Sequence, residues 1–150
     1  MTPDPTVVYS AAEARHAAAI LEIERLCFAV PWSEASIEAE FEDNLAHYFI
    51  SSIGESIVGY CGYWRILDEA HITNIAVHPD YRGRGIGAGL LGVMLADIEA
   101  DGIHAVTLEV REGNTPALKL YEAFGFETAG IRKNYYQKEK KNAIIMWKHG

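Results

Sequence analysis

The sequence is short of the features that mark several protein classes. It has two cysteines in 150 residues, Cys27 and Cys61, standing 34 apart with no CxxC pair. That usage reads as free thiols of a reducing compartment and leaves a single disulfide open. No apolar run is long enough to span a bilayer. The opening MTPDPTVV has neither the basic nor the apolar region of a secretory signal. A cytoplasmic protein without a membrane partner is therefore expected. The six histidines form no HExxH or similar pair, so no metal site is expected. Basic charge is scarce as well. Thirteen Lys and Arg stand against 21 Asp and Glu, a net charge of −8. Duplex DNA needs a basic surface, so direct nucleic-acid binding is not expected.

What is present is apolar content, at 49%, with only 23% charged residues. That excludes a disordered chain and fits one domain over residues 1–150. The charge is unevenly placed. Residues 1–69 hold 12 acids and 3 bases, whereas 70–150 hold 9 acids and 10 bases. The last twenty residues carry six bases against Glu139 alone. Different partners for the two halves, or plain solvated faces, both fit this asymmetry.

Hydrophobic spacing sets the element order. Ser10-Ala-Ala-Glu13 is a capping-box pattern, and Ala17, Ile20, Leu21, Glu24 and Phe28 recur at helical spacing, predicting a helix from about 11 to 28. Pro31 breaks it, and Ser33 caps an acidic helix over about 34–42. Residues 48–53 and 57–64 around Gly54 predict a hairpin, and 69–77 a further strand. A helix over 86–100, a strand over 105–110 and a helix from Asn114 to Phe124 follow. Residues 126–131 and 143–147 form a closing pair around a lysine-rich loop. This order predicts an α/β chain, a mixed sheet with helices on both faces.

The segment His78-Pro79-Asp80-Tyr81-Arg82-Gly83-Arg84-Gly85-Ile86-Gly87-Ala88-Gly89 joins a strand to a helix. Its alternate glycines clear side chains from the backbone, and amide N–H groups at a helix start attract an anion. A phosphate or pyrophosphate cradle is the chemistry this suits, with a mere tight turn as the plainer reading. Gly83-x-Gly85-x-x-Ala88 formally matches the dinucleotide fingerprint, but about five residues separate it from the strand, and the candidate ribose acid, Glu109, stands 26 after Gly83 and inside its strand. No Gly-Lys-Ser/Thr follows, which excludes a Walker loop.

Arg82-x-x-Gly85-x-Gly87 after Asn74-Ile75-Ala76-Val77-His78-Pro79 resembles the acetyl-CoA motif of the GNAT acetyltransferase superfamily. Pro31-Trp32-Ser33-Glu34, Leu108-Glu109-Val110-Arg111, Asn114, Leu120-Tyr121-Glu122 and Asn134-Tyr135-Tyr136 resemble one branch, the bacterial ribosomal-protein-alanine N-acetyltransferases (RimI-like). The resemblance implies the GNAT fold, with a central, partly splayed sheet. It also implies acetyl-CoA as cosubstrate and the N-terminal peptide of a ribosomal protein as partner. It would lay the pantetheine arm along Ile75, Ala76 and Val77, and the phosphates on Arg82, Gly83, Arg84, Gly85, Ile86, Gly87 and Ala88, with Asn114 also touching the cofactor. Glu109 would be the general base. Tyr121 would protonate the departing thiolate, since a phenol stays protonated at neutral pH. Trp32, Tyr135 and Tyr136 would line the peptide channel.

Each residue also has a plainer reading. Ile75–Val77 suits a core strand, and Glu109 a cross-strand pair or a surface pair with Arg111. Tyr121 suits a core aromatic, Asn114 a helix cap, and Trp32 the core. Protonation favours an N-terminal amine, because roughly a tenth of an α-amine is neutral at pH 7, whereas lysine is about 2.5 pKa units worse, roughly 3.4 kcal/mol. A GNAT enzyme for lysine or a small amine, a non-catalytic CoA-binding module, and a nicotinamide enzyme stay open as alternatives.

Overall fold

The computed structural model describes residues 6–28, 31–136 and 141–150, excepting the side chains of 134–136 and 141. Its sheet has seven strands. β1 (Val7–Ala11) is followed by α1 (Ala17–Cys27), α2 (Glu34–Glu42), β2 (Ala46–Ile53), β3 (Ser56–Ile66) and β4 (Glu69–Val77). Then come α3 (Ile86–Ala100), β5 (Ala105–Arg111), α4 (Thr115–Ala123), β6 (Glu127–Tyr136) and β7 (Lys141–His149). The strands lie in the order β1-β2-β3-β4-β5-β7-β6. Every neighbouring pair is antiparallel except β4 and β5, which α3 joins as a parallel crossover.

Strand alternation sends one set of side chains to each face. Cys61, Ile72, Leu108 and Val110 pack with Leu90, Leu91, Met94 and Ile98 of α3 and Tyr121 of α4. On the opposite face Ile50, Tyr60 and Ala76 meet Ile20, Leu21 and Ile23 of α1 and Ile37 of α2. Gly62 of β3 serves this second layer, since a β-carbon there would run into the ring of Tyr48. The expected mixed sheet with helices on both faces is the one observed.

Two boundaries differ from expectation. The helix read from residue 11 starts at Ala17, behind a short 3-10 turn at Ala14–His16. Residues 7–11 instead extend the sheet, from Val7 opposite Ile53 to Ala11 opposite Phe49. That ladder claims Ser10, so the cap falls three residues later, where Nδ1 of His16 accepts the Glu13 N–H at 2.9 Å. The closing strands reach further than their apolar runs, into polar Arg132–Tyr136 and Lys141–Asn142. The lysine-rich loop at 137–140 lies outside the described residues.

The parallel pair is incomplete. Glu69, Ala70 and His71 face Ala105, Val106 and Thr107, and the ladder stops there. β4 continues to Val77 bound to β3, and β5 continues to Arg111 bound to β7. The register of β3 and β4 shifts between Gly62 and Tyr63, which leaves Thr73 as an extra residue on β4. A bulge increases local twist and bends its strand, and it stands at the point where β4 leaves β5. Thr73 Oγ1 pins it by donating to the Gly62 carbonyl at 3.2 Å.

Candidate active site

Beyond His71 the inner edge of β4 has no ladder partner among the described residues, and neither does that of β5 beyond Thr107. Strand N–H and C=O groups seek partners. An amide-bearing arm laid in this split would supply them, as the sequence expects for Ile75, Ala76 and Val77. Their side chains remain in or against the two cores, so the core-strand reading describes the side chains and leaves the backbone edge without a ladder partner on the β5 side.

The glycine segment reaches α3 through two residues in the left-handed region, Gly83 at φ 82° and Gly85 at φ 78°. Gly85 is the N-cap of α3. The first intrahelical bond runs from the Gly89 N–H to the Gly85 carbonyl at 3.0 Å, so the preceding amides point out of the helix start. A β-carbon on Gly87 would lie 3.8 Å from Leu120 and 3.9 Å from Val77. The helix start, α4 and the end of β4 therefore converge at the mouth of the split. The two arginines are engaged within the protein. Arg82 Nε donates to the Val77 carbonyl at 3.2 Å and its Nη2 lies 3.3 Å from Cys27 Sγ, while Arg84 stacks over Tyr81 at 5.2 Å. Burial raises the Cys27 thiol above its ordinary pKa.

Glu109 and Tyr121 come from opposite faces. Leu108 and Val110 point into the α3/α4 core, so alternation turns Glu109 to the α1/α2 face. Its carboxylate is about one-third exposed and lies 3.7 Å from Arg132 of β6. That contact fits the cross-strand reading, with Arg132 as the partner. Tyr121, buried on α4, meets Phe126 edge-on at 5.7 Å. Asn114 caps α4, its side-chain oxygen accepting the Ala117 N–H at 3.3 Å. Trp32 is half-buried against the α1/α2 core and edge-on to Tyr48 at 6.5 Å. The backbones of Tyr135 and Tyr136 end β6; their side chains are outside the described part.

One constellation was not anticipated. Glu24 of α1 is 1% exposed. Its Oε1 accepts from the Tyr60 hydroxyl at 2.5 Å and from Asn74 Nδ2 at 3.2 Å, and Asn74 Nδ2 also lies 3.3 Å from the Tyr60 oxygen. Burial pushes the Glu24 carboxyl above its usual range, and burial together with Glu24 pushes the Tyr60 phenol well above its own. The signal was an acid at a position of the apolar stripe of α1. Nearby, Glu40 Oε1 accepts from Tyr48 at 2.7 Å and from Trp64 at 2.8 Å.

Known proteins resemble this chain in sequence and in fold. The family model described as acetyltransferase (GNAT) family matches residues 17–126. A ribosomal protein bS18-alanine N-acetyltransferase of Escherichia coli is 36% identical over 130 residues, 85% of this chain and 87% of that one. A Bacillus subtilis protein that carries the same name provisionally is 40% identical over 129 residues, 85% of each chain. The crystal structure of the ribosomal-protein-S18-alanine N-acetyltransferase from Escherichia coli superposes with a TM-score of 0.89 at 34% identity, covering 95% of this chain and 93% of that one.

Proposed function

This chain belongs to the acetyltransferase (GNAT) family, and within it we propose an enzyme that acetylates the N-terminal alanine of a small-subunit ribosomal protein, the relatives' bS18. It is an acetyl-CoA-dependent N-acetyltransferase. The split between β4 and β5, with Glu109 on one face and Tyr121 on the other, is the observation that carries the reading.

The residues fit the cosubstrate. The unladdered edge of Ile75–Val77 suits the amides of the pantetheine arm once Arg82 and Cys27 give up the Val77 carbonyl. The outward amides from Gly85 to Ala88 suit its pyrophosphate, helped by the helix dipole. The phosphates would draw Arg82 and Arg84 from their contacts with Val77, Cys27 and Tyr81. Asn114 can touch the cofactor while its side chain caps α4.

In the reaction the neutral α-amine attacks the thioester carbonyl carbon, forming the C–N bond. Glu109 takes the proton the nitrogen must lose. As the C–S bond breaks, Tyr121 gives its proton to the departing thiolate. Strand N–H groups in the split stabilise the charge on the carbonyl oxygen. With the amine entering from the α1/α2 face, base and acid stand on opposite sides of the reacting carbon.

A basic peptide suits that entrance. Glu34, Glu38, Glu40, Glu42 and Asp43 lie on or beside α2, and an acidic rim speeds encounter with a cationic chain. Trp32 packs on the core with one part exposed, so it can also wall the channel, with Tyr135 and Tyr136 opposite. A ribosomal-protein substrate suits the cytoplasm. Incubation with acetyl-CoA and an alanine-initiated peptide is the test. A gain of about 42 Da, the acetyl increment, abolished by blocking the N-terminus, is expected. Acetylation of lysine alone, or no gain, would overturn the reading.

A further inference from the structure

The proposed base lies across the split from a side chain whose orientation is unusually well determined. Asn74 stands on β4 where it has left β5, and on the same face as Glu109, because its amide meets Glu24 of α1. Tyr60 keeps its proton and donates a hydrogen bond through it to Glu24 Oε1. The carboxylate oxygen and the phenol oxygen therefore both present lone pairs to Asn74. Only the NH2 end of an amide can face two acceptors. The Asn74 carbonyl oxygen must then point the other way. Tyr60 belongs to β3 and Glu24 to α1, so the far side is the open edge toward β5.

We infer that Asn74 binds the acceptor amine, its side-chain carbonyl taking one N–H of the attacking nitrogen, with Glu24 and Tyr60 as the positioning pair that turns it. This rests on the α-amine reading above. A neutral primary amine has a lone pair and two N–H groups. The lone pair must aim at the thioester, one N–H serves Glu109, and Asn74 takes the second. Three directions are then fixed at nitrogen, which orients the attack. A secondary amine has one N–H, which the base requires, so it forgoes the Asn74 bond. Asn74 thereby selects for a primary amine.

The test compares two peptides on the intact enzyme, one beginning with alanine and one with N-methylalanine, in wild type and Asn74→Ala. Asn74→Ala should lower kcat/KM on the alanine peptide about tenfold, the size of one lost hydrogen bond. KM for acetyl-CoA should stay unchanged. The wild-type preference for the primary amine should shrink by a similar factor, a change that a merely structural role would not produce. Tyr60→Phe removes one of the two acceptors that turn the Asn74 amide and should give a smaller loss of the same kind. Asn74→Val, which suits a strand, substitutes should the alanine variant not fold. An unchanged kcat/KM and an unchanged preference in an active enzyme would overturn the role of Asn74. A wild-type enzyme that leaves the alanine peptide unmodified would instead overturn the α-amine reading, and this inference with it.

Discussion

β4 and β5 run side by side under two regimes. At Glu69–His71 they are paired with Ala105–Thr107 as ordinary parallel neighbours. There the face is walled by Glu69, Glu127, Trp147 and His149, and Trp147 stacks on His149 at 5.5 Å. Past His71 the strands part, and the residues proposed above for transfer follow: Asn74, Ile75–Val77 and Glu109. Each strand keeps its outer partner along the whole length, β3 for β4 and β7 for β5. The sheet therefore gives up bonds along one inner edge of each strand and gains a cleft with aligned donors and acceptors. The paired end should govern stability, and the parted end turnover.

The sharpest way to break that division is Glu109→Gln. It is nearly isosteric and removes the proposed base, so kcat on an alanine peptide should fall about 10²-fold while the melting temperature stays near wild type. Tyr121→Phe should follow with a loss of about 10- to 10²-fold, read from initial rates with acetyl-CoA saturating. Activity unchanged in both would remove the assigned roles and leave the split without its chemistry.

Next in size is Gly85→Ala, at the mouth of the parted end. Gly85 sits at φ 78°, where an L-residue costs roughly 1–2 kcal/mol. If the helix start holds the pyrophosphate, KM for acetyl-CoA should rise about tenfold as the outward amides shift, with KM for the peptide little changed. A calorimetric titration with CoA checks the same point without turnover. An unaltered CoA affinity would detach the glycine segment from the cofactor.

Thr107→Val probes the paired end. The Thr107 hydroxyl is buried and donates to the Met146 carbonyl at 2.9 Å, and valine fills the same space without that donor. A loss of about 1 kcal/mol in urea unfolding is expected, with kcat and both KM values unmoved. A large kinetic effect here would show that the two ends are coupled and blur the comparison.

How much of this was legible in the sequence divides along the same line. Strands β2 to β5 and helix α3 were readable, because local period and glycine punctuation specify them. The glycine segment and Glu109 stand out through a family pattern of residue types at fixed spacing, which proposes their roles without testing them. β1 was not, because five residues next to a helix-capping pattern carry less signal than that pattern; its ladder with β2 decides it. The splay was not readable from periodicity either, because β4 and β5 look like ordinary strands and only the register ending at His71 parts them. The Glu24–Tyr60–Asn74 cluster joins residues 36 and 50 positions apart, beyond any local pattern. Its trace was one acid on an apolar helical stripe.

That acid supplies the smallest expected effect, a slope, and it touches the parted end without sitting on the reacting atoms. Burial raises the Glu24 carboxyl above its ordinary value of 4.5. The folded state thus binds its proton more tightly than the unfolded chain does. For such a group the stabilising contribution is complete below the unfolded pKa and is lost as pH rises through the folded one. Glu24→Gln cannot titrate, so the difference in unfolding free energy between wild type and variant should move against wild type as pH rises from about 4.5. Urea unfolding of both proteins across mildly acidic to neutral pH reads that difference directly. Parallel curves for the two proteins would mean that Glu24 titrates alike folded and unfolded, and that burial beneath β4 does not perturb it.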